Sequence, residues 1–335
     1  MPLPTRQLGT TGLSITTVGF GAWAAGGGGW SSGWGPQDDA DSLDAMRRAL
    51  EHGVNWIDTA AVYGHGHSEV VVASLLRELG SARRPLVFTK CGFVWDESNP
   101  MAPEEHSLNP ASVRRECEAS LRRLGITCID LYQFHVPDRT GAAVEDSWAE
   151  MLRLIEAGKV RFGGVSNFDV GLLNRCESLA HVASLQPPLS LLRRDAAGDV
   201  IPWCADHGTG VIAYSPMVNG IFTDTFSRER VERLAPDDWR RRGDEFRDPK
   251  LGRNLMLRDA LRPIAVRHAT TVAAVAIAWT LAWRGVTGAI AGARSAAQVD
   301  GWIDGAGLVL TPADLDEIAL AVKTTGAGKG PVRPA

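Results

Sequence analysis

Three apolar segments of the chain end in residues that could carry acid–base chemistry. Asp58 and Lys90 directly follow apolar residues, Tyr63 comes shortly after Asp58, and His135 ends a third apolar segment. Burying an isolated charge is costly, so we expect Asp58 and Lys90 to form an ion pair. Such a pair on its own is more often structural than catalytic, but Tyr63 and His135 nearby favour a catalytic site.

These residue types suggest proton donation to a carbonyl oxygen. A tyrosine with a pKa of about 10 is a weak acid at neutral pH, but an adjacent ammonium stabilises the phenolate and lowers that pKa. We therefore expect Lys90 to activate Tyr63 as a general acid and Asp58 to keep Lys90 charged. His135 would orient the substrate by a hydrogen bond to its carbonyl oxygen. Taken alone, His135 could equally be a hydrogen-bonded core histidine.

The elements that would position these side chains alternate between short apolar strands and longer segments with helical spacing. Eight strands are predicted, at Thr17–Phe20, Asn55–Thr59, Leu86–Thr89, Cys128–Phe134, Phe162–Val165, Val182–Leu185, Val211–Tyr214 and Gly288–Ile290. Helices are predicted at Asp38–His52, Ser68–Leu79, Pro110–Leu124, Val144–Ala157 and Val170–Leu179, several of them stopped by Gly53, Gly80, Gly125 and Gly158.

Eight such units predict a (β/α)8 TIM barrel, whose active site lies at the carboxyl ends of its strands. An open doubly wound sheet is less suitable, because the glycines at 26–29 do not form a GxGxxG turn opening a helix. We expect one barrel domain over residues 1–323, with a short N-terminal extension and a long charged loop, Ile221–Arg253, after the seventh strand. The Gly-, Lys- and Pro-rich tail Thr324–Ala335 is predicted to be disordered.

Composition argues against several partners. The 335 residues are 44% apolar and 22% charged, with a formal charge of −4 and interspersed signs, so neither nucleic acid nor a membrane surface is an expected partner. The apolar run Thr271–Trp283 is too short to cross a bilayer and predicts a buried helix. Five scattered cysteines and the absence of a signal-peptide pattern predict a cytoplasmic protein with reduced thiols. His65 and His67 lack further ligands at metal-binding spacing, so we expect no metal and a solvated loop.

The chain resembles the aldo-keto reductase superfamily over most of its length. The matching segments, in the family's order, are Gly19-Phe-Gly-Ala-Trp23, Asn55-Trp-Ile-Asp-Thr-Ala-Ala-Val-Tyr-Gly64, Phe88-Thr-Lys-Cys-Gly92, Asp130-Leu-Tyr-Gln-Phe-His135, Gly163-Gly-Val-Ser-Asn-Phe168, Ala213-Tyr-Ser-Pro216 and Ala291-Gly-Ala-Arg-Ser295.

The resemblance implies a catalytic tetrad of Asp58, Tyr63, Lys90 and His135 and an NADP (NADPH) cofactor. It implies that Ser166, Asn167 and Gln186 hold the nicotinamide carboxamide, and that Tyr214 stacks on its ring. Ser215, Met217 and Asn219 would follow the pyrophosphate, and Gly292, Arg294 and Gln298 the adenosine, with Arg294 suited to a 2′-phosphate. Further cofactor contacts are expected at Gly21, Trp23, Asp58 and Pro216. Substrate contacts are expected at Tyr63, His135, Trp30, Trp34 and Trp95, although the three tryptophans could equally be loop packing.

Two segments depart from the family pattern. Asp300-Gly301-Trp302 stands where Glu and Asn are common near the adenine, so the adenine is expected to be stacked rather than hydrogen-bonded. Gln186 is followed by two prolines, which are expected to interrupt strand pairing.

The sequence thus predicts an NADP-dependent reductase that transfers hydride from NADPH to an aldehyde or ketone, with sugar-derived and aromatic carbonyls as candidate substrates. The alternative is an NADP(H)-binding regulatory subunit resembling potassium-channel β-subunits, which keep the same tetrad. A sugar isomerase or hydrolase would need metal ligands or paired carboxylates that the sequence does not offer.

Overall fold

Eight parallel strands form a closed barrel in the computed structural model, which describes residues 2–334. The strands are β1 (Val18–Gly21), β2 (Trp56–Asp58), β3 (Leu86–Cys91), β4 (Ile129–Phe134), β5 (Val160–Ser166), β6 (Ser184–Gln186), β7 (Gly210–Tyr214) and β8 (Val286–Gly292). Each coincides with a predicted strand, with the ends displaced by no more than about two residues. The predicted (β/α)8 TIM barrel is confirmed.

Strand register brings the predicted acid–base residues to one rim of the barrel. Gly21 of β1 pairs with Asp58 of β2, and Lys90 of β3 pairs with Gln133 of β4. Because all eight strands are parallel, their carboxyl ends open at the same mouth. His135 directly follows β4 at that mouth.

Twelve α-helices are present in the described residues. They are α1 (Asp39–Glu51), α2 (His67–Leu79), α3 (Pro110–Leu124), α4 (Val144–Glu156), α5 (Val170–Glu177), α6 (Val200–His207), α7 (Arg228–Glu232), α8 (Lys250–Ala260), α9 (Arg262–Arg267), α10 (Val272–Leu281), α11 (Ala296–Asp300) and α12 (Pro312–Thr325). The four glycines predicted to stop helices have positive φ angles, which side chains disfavour. Gly80 and Gly125 directly cap α2 and α3.

An antiparallel N-terminal hairpin, Thr5–Gln7 with Ser14–Thr16, forms the predicted extension. Its apolar residues Leu8, Leu13 and Ile15 are buried in one cluster with Trp56 and Phe88, which lie on the barrel strands β2 and β3. These side chains fill the amino-terminal end of the barrel. We call this cluster of the hairpin and the strand side chains the basal plug.

The apolar run at Thr271–Trp283 forms α10, all of whose residues are buried, as predicted. Among residues 2–334, no helix by itself combines the length and the apolar character of a membrane span. Lys250–Arg267 and Val272–Leu281 satisfy both criteria only when taken together, and they are bent by 92° relative to each other.

Two segments are more ordered than the sequence suggests. The loop after β7 contains α7, several short turns and the start of α8. Residues from the predicted tail pair with the loop before α6: Lys329 bridges Arg193, and Arg194 donates to the Ala327 carbonyl. A Cβ on Gly328 would come within 2.5 Å of Leu192 backbone, so glycine here permits close packing rather than disorder. The described residues therefore differ from the disordered tail that composition predicted.

Candidate active site

Asp58 and Lys90 form the predicted ion pair at the ends of β2 and β3. Lys90 Nζ lies 2.5 Å from Asp58 Oδ1, and the two side chains are 0% and 3% exposed. Lys90 also donates to the Thr59 carbonyl at 2.9 Å. Burial raises the pKa of Asp58 and lowers that of Lys90, while each charge opposes the shift of the other. A charge-assisted hydrogen bond therefore joins the two side chains, which are shielded from solvent.

Tyr63 lies against this pair. Lys90 Nζ is 3.4 Å from the Tyr63 hydroxyl and 5.1 Å from the centre of its ring. The expected lowering of the Tyr63 pKa is nevertheless wrong. Burial, followed by the negative charge of Asp58, raises that pKa well above its usual value. Tyr63 therefore retains its proton at neutral pH.

His135 completes the group. Its ring lies 5.6 Å from that of Tyr63 and 4.8 Å from that of Phe93, edge to face in both cases. Burial and the cationic Lys90 hold the pKa of His135 well below its usual value, so its imidazole is neutral. A neutral imidazole can donate a hydrogen bond without carrying charge into the site.

A cleft of about 670 Å³ opens at this mouth. It is lined by Asp58, Tyr63 and His135 and by every residue that the resemblance assigned to the cofactor: Gly21, Trp23, Asp58, Ser166, Asn167, Gln186, Tyr214, Ser215, Pro216, Met217, Asn219, Gly292, Arg294 and Gln298. Lys90 lies behind Asp58 and does not line the cleft as the structure describes it. The cleft is therefore continuous from the tetrad to the end of β8.

Hydrogen bonds connect the side chains beside the tetrad. Asn167 Nδ2 donates to the His135 carbonyl at 2.9 Å, and the Tyr214 hydroxyl donates to Asn167 Oδ1 at 2.9 Å. Gln186 Nε2 donates to Asp58 Oδ2 at 2.9 Å, and Ser166 Oγ donates to the Gln186 carbonyl at 2.7 Å. This network links β4, β5, β6 and β7 to the carboxylate of the ion pair.

Three residues of the cleft have left-handed backbones although none is glycine. Asn167, Ser215 and Asn219 have φ angles of 61°, 58° and 52°. Such conformations cost free energy and persist where the surroundings enforce them, frequently at functional sites. Ser215 Oγ donates to Asn219 Oδ1 at 3.2 Å, which ties two of the three together.

β6 ends at Gln186, directly before the two prolines, as predicted, and only an isolated bridge between Pro188 and Tyr214 continues the contact with β7. Tyr214 donates its N–H to the Pro187 carbonyl at 3.0 Å, and Leu189 donates to the Tyr214 carbonyl at 3.3 Å. The missing proline N–H groups are therefore not needed for the contact with β7.

The far end of the cleft is cationic. Arg294 donates to Gln37 Oε1 at 2.7 Å and to the carbonyls of Trp34 and Pro36. Within residues 2–334 neither Arg294 nor Arg230 has an acidic partner at ion-pair distance, whereas Arg240 is paired with Asp238 at 2.6 Å. Arg294 and Arg230 thus bring two uncompensated charges to this end of the cleft.

Trp302 also lines this end. It is 2% exposed, and its indole Nε1 has no hydrogen-bond partner in the described part of the chain. The indole therefore contributes ring surface to this end of the cleft, while its N–H is enclosed by the protein.

The aromatic residues near Tyr63 differ in whether they line the cleft. Trp23 is stacked on Tyr63, with ring centres 6.0 Å apart. Trp30 and Trp34 line the cleft, and their contact with a substrate stays a prediction. Trp95 is absent from the lining formed by residues 2–334, and its ring is stacked on His65 at 4.9 Å.

The loops after β1 and β7 join across the mouth. Trp239 donates its N–H to the Gly33 carbonyl at 3.0 Å, and Arg242 donates to the Ser31 carbonyl at 2.5 Å. Trp239 is also stacked on Trp23, with ring centres 5.4 Å apart. We call these contacts the mouth bridge.

The prediction of a solvated loop holds for His67 but not for His65. His67 is exposed and contacts Asp39, but His65 is only partly exposed and its ring contacts those of Trp30 and Trp95. No group of three potential metal-ligating side chains occurs among residues 2–334.

Sequence reasoning missed several residues that line the cleft, namely Phe93, Glu104, Val136, Arg230 and Arg240. Phe93 and Glu104 belong to a small hairpin after β3, in which Phe93–Val94 pairs with Glu105–His106. An aromatic residue shortly after a strand end was the available signal for Phe93. Nothing local marks Glu104, because only the fold brings it to the mouth.

Comparison with known proteins identifies the family. The sequence model of the aldo/keto reductase family matches residues 17–323. The chain is 30% identical over 320 residues to aldo-keto reductase YhdN of Bacillus subtilis, covering 95% of this chain and 93% of that protein. It is 31% identical over 301 residues to the NADH-specific methylglyoxal reductase of Escherichia coli, covering 87% and 90% of the two chains.

A similar solved structure is that of the glycerol dehydrogenase AKR11B4 from Gluconobacter oxydans. The TM-score is 0.86 at 32% identity, with 99% of this chain and 98% of that chain covered. The chain belongs to the aldo/keto reductase family of oxidoreductases, whose members use nicotinamide cofactors.

Proposed function

We propose that this protein is an NADP(H)-dependent reductase of aldehydes or ketones, with Tyr63 as the proton donor. The observation that carries the proposal is the placement of Tyr63, 3.4 Å from Lys90 Nζ, at the base of a cleft whose other end is cationic.

The residues of the cleft suit a dinucleotide. Two guanidinium groups without acidic partners at the far end favour phosphate groups, and the ring of Trp302 lines the same end of the cleft. The resemblance assigns Ser166, Asn167 and Gln186 to the carboxamide and Tyr214 to the ring. When bound, the cofactor would supply the hydride.

The side chains of the chain itself handle the proton. Tyr63 holds its proton at neutral pH and passes it to the carbonyl oxygen as negative charge develops there, because an alkoxide is more basic than a phenolate. Lys90 lies close enough to stabilise the phenolate that remains, and Asp58 keeps Lys90 in place. His135, being neutral, orients the carbonyl oxygen by a hydrogen bond.

Arg294 supports NADP over NAD. A charge-assisted contact to a 2′-phosphate should contribute about 1.5–3 kcal/mol, or roughly ten- to a hundredfold in affinity. The NADH-specific relative from Escherichia coli makes NADH the competing candidate. Both cofactors carry a diphosphate, so their relative affinities and the response of each to substitution of Arg294 separate them.

Titration of NADPH and NADH against the wild type and Arg294→Ala tests the cofactor. We expect NADPH to bind more tightly and to lose about ten- to a hundredfold in affinity on substitution, with little change for NADH. Gln37→Ala is the matched control, because it removes a partner of Arg294 but leaves the guanidinium. Equal wild-type affinities, or equal losses for both cofactors, would contradict the NADP assignment.

A panel of sugar aldehydes, aromatic aldehydes, 2-oxoaldehydes and quinones, followed by the absorbance of the reduced cofactor, tests the reaction. Multiple turnover above background supports the reductase. Cofactor binding without turnover of any carbonyl compound would favour the regulatory subunit instead.

A further inference from the structure

Glu104 is an acidic residue of the cleft that the proposed proton transfer does not use. The neighbouring lining is apolar and aromatic: Trp23, Trp30, Val62, Phe93 and Val136. The Glu104 side chain is 10% exposed. Placing a carboxylate in such surroundings costs free energy unless polar groups contact it.

The hairpin after β3 places Glu104 at the Tyr63 end of the cleft rather than at the cationic end. Phe93, on the same hairpin, lies 4.8 Å from the ring of His135. His65, two residues after Tyr63, has its Nε2 3.6 Å from Glu104 Oε1. Glu104 therefore borders the space that a carbonyl compound would occupy next to Tyr63 and His135.

The hydrogen-bonding capacity of Glu104 is only partly used. Ser31 Oγ donates to Oε1 at 2.6 Å, and within residues 2–334 no donor reaches Oε2. The Arg242 side chain contacts the Ser31 carbonyl, not the carboxylate, and no lysine or arginine of the described chain lies at ion-pair distance from Glu104. His65 and His106 are the titratable groups nearby. The carboxylate thus keeps an acceptor oxygen without a donor, on a residue that lines the cleft.

We infer that Glu104 determines specificity, favouring carbonyl substrates with a neutral hydroxyl group over substrates with a carboxylate. An ionised carboxylate only accepts hydrogen bonds, so it can bind a substrate hydroxyl and repels a second carboxylate. The aromatic walls would contact the carbon skeleton of the same substrate. This inference rests on the proposed reductase function and names its substrate class.

Two benzaldehydes of similar size test the inference: 4-(hydroxymethyl)benzaldehyde and 4-carboxybenzaldehyde. Reduction is measured with saturating NADPH or NADH, whichever supports turnover. The wild type should prefer the hydroxymethyl compound by about tenfold or more in kcat/KM, since like-charge juxtaposition costs at least that much. In Glu104→Gln this ratio should fall about tenfold, mainly through faster reduction of the carboxylate compound.

Glu105→Gln is the matched control. Glu105 lies on the same hairpin but lines a separate surface cavity with Ser107, Asn109 and Arg115. Its removal should leave the ratio of the two substrates unchanged. Glu104→Ala provides a second loss of charge if the glutamine variant folds poorly, as judged by its melting temperature.

The unsubstituted benzaldehyde separates the two hypotheses. Failure of the wild type to turn over benzaldehyde and every other carbonyl compound of the panel, with either cofactor, would overturn the proposed function. Turnover of benzaldehyde together with an unchanged substrate ratio in folded Glu104→Gln and Glu104→Ala would overturn the role of Glu104 alone. A ratio that falls equally in Glu105→Gln would also overturn it.

Discussion

The protonation states at the barrel mouth follow from burial more than from charge. Burial holds Tyr63 protonated and His135 neutral, although Lys90 is adjacent to the phenol. A protonated phenol and an uncharged imidazole are the two donors that a carbonyl oxygen needs as it becomes negative. Lys90 then matters most after the proton has left, when it faces a phenolate.

Tyr63→Phe removes the proton donor and little else. We expect kcat to fall by ~10²- to 10⁴-fold, the usual value of general acid catalysis. Cofactor affinity should be nearly unchanged, because only a hydroxyl is lost. Single-turnover rates combined with cofactor titration measure both effects. Retention of the wild-type chemical rate would show that the proton comes from elsewhere.

Lys90→Met leaves the Asp58 carboxylate buried without its cation. Breaking such a pair typically costs about 3–5 kcal/mol, so the free energy of unfolding should fall by that order. Turnover should fall as well, because the phenolate of Tyr63 loses its neighbouring charge. Urea unfolding and the pH–rate profile check the two effects. A variant with the wild-type profile and rate would contradict any coupling of Lys90 to Tyr63.

At the residue scale the sequence predicted that Asp58, Tyr63, Lys90 and His135 meet at the barrel mouth, but not their ionisation. Polar residues directly after apolar strands mark a barrel mouth, which is why Asp58 and Lys90 could be paired in advance. The direction of the Tyr63 pKa depends on how deeply the fold encloses the phenol. No local pattern reports that depth, and none marked Glu104.

Among the elements, α3 supports the turn that follows Lys90 and Cys91 on β3. Glu116 of α3 accepts a hydrogen bond from the Gly92 N–H at 3.0 Å and another from Ser112 Oγ at 3.0 Å. Burial raises the pKa of Glu116 to about 7 despite these bonds. The helix is therefore linked to the mouth through a carboxyl group that titrates near neutral pH.

This raised pKa predicts a pH-dependent stability. The folded chain binds the Glu116 proton more tightly than the unfolded chain, so the stabilising effect is complete below the ordinary carboxyl pKa and is lost as pH rises through about 7. Between pH ~5 and ~8 the wild type should lose up to about 3 kcal/mol relative to Glu116→Gln. Denaturant unfolding of both proteins across this range measures the difference, and parallel curves would exclude it.

Elements were predictable where periodicity is strong. The eight strands and the long helices repeat apolar residues in patterns that packing against the barrel enforces. The C-terminal segment was not predictable, because Gly328 and Gly330 permit close backbone contact as readily as disorder. Only the partner loop around Leu192 and Arg194 distinguishes these outcomes, and it is distant in sequence.

For the molecule as a whole, the mouth bridge spans the cleft between two long loops. Its contacts are one backbone hydrogen bond, one hydrogen bond from the Arg242 side chain, and the stacking of Trp239 on Trp23. Bridges of this kind restrict the exchange of ligands because they must separate for a large molecule to pass.

Trp239→Ala should weaken the bridge by the value of a stacked aromatic pair, about 0.5–1.5 kcal/mol, and speed cofactor release roughly two- to tenfold. Stopped-flow displacement of bound reduced cofactor measures the rate. Trp203→Ala on α6, where the ring is stacked on His207 away from the cleft, is the control. Equal release rates in all three proteins would show that the bridge does not limit exchange.

The basal plug places residues that stabilise the fold apart from most of the residues that line the cleft. Leu8, Leu13 and Ile15 fill the barrel at the end opposite Tyr63, so the barrel is not a pore. Substitutions at these three hairpin residues should alter resistance to heat more than which compounds are recognised, because their cluster includes only Ile290 and borders only Tyr214 among the residues that line the cleft. An engineer could therefore raise thermal tolerance at the base and redesign selectivity at the mouth as two nearly independent problems.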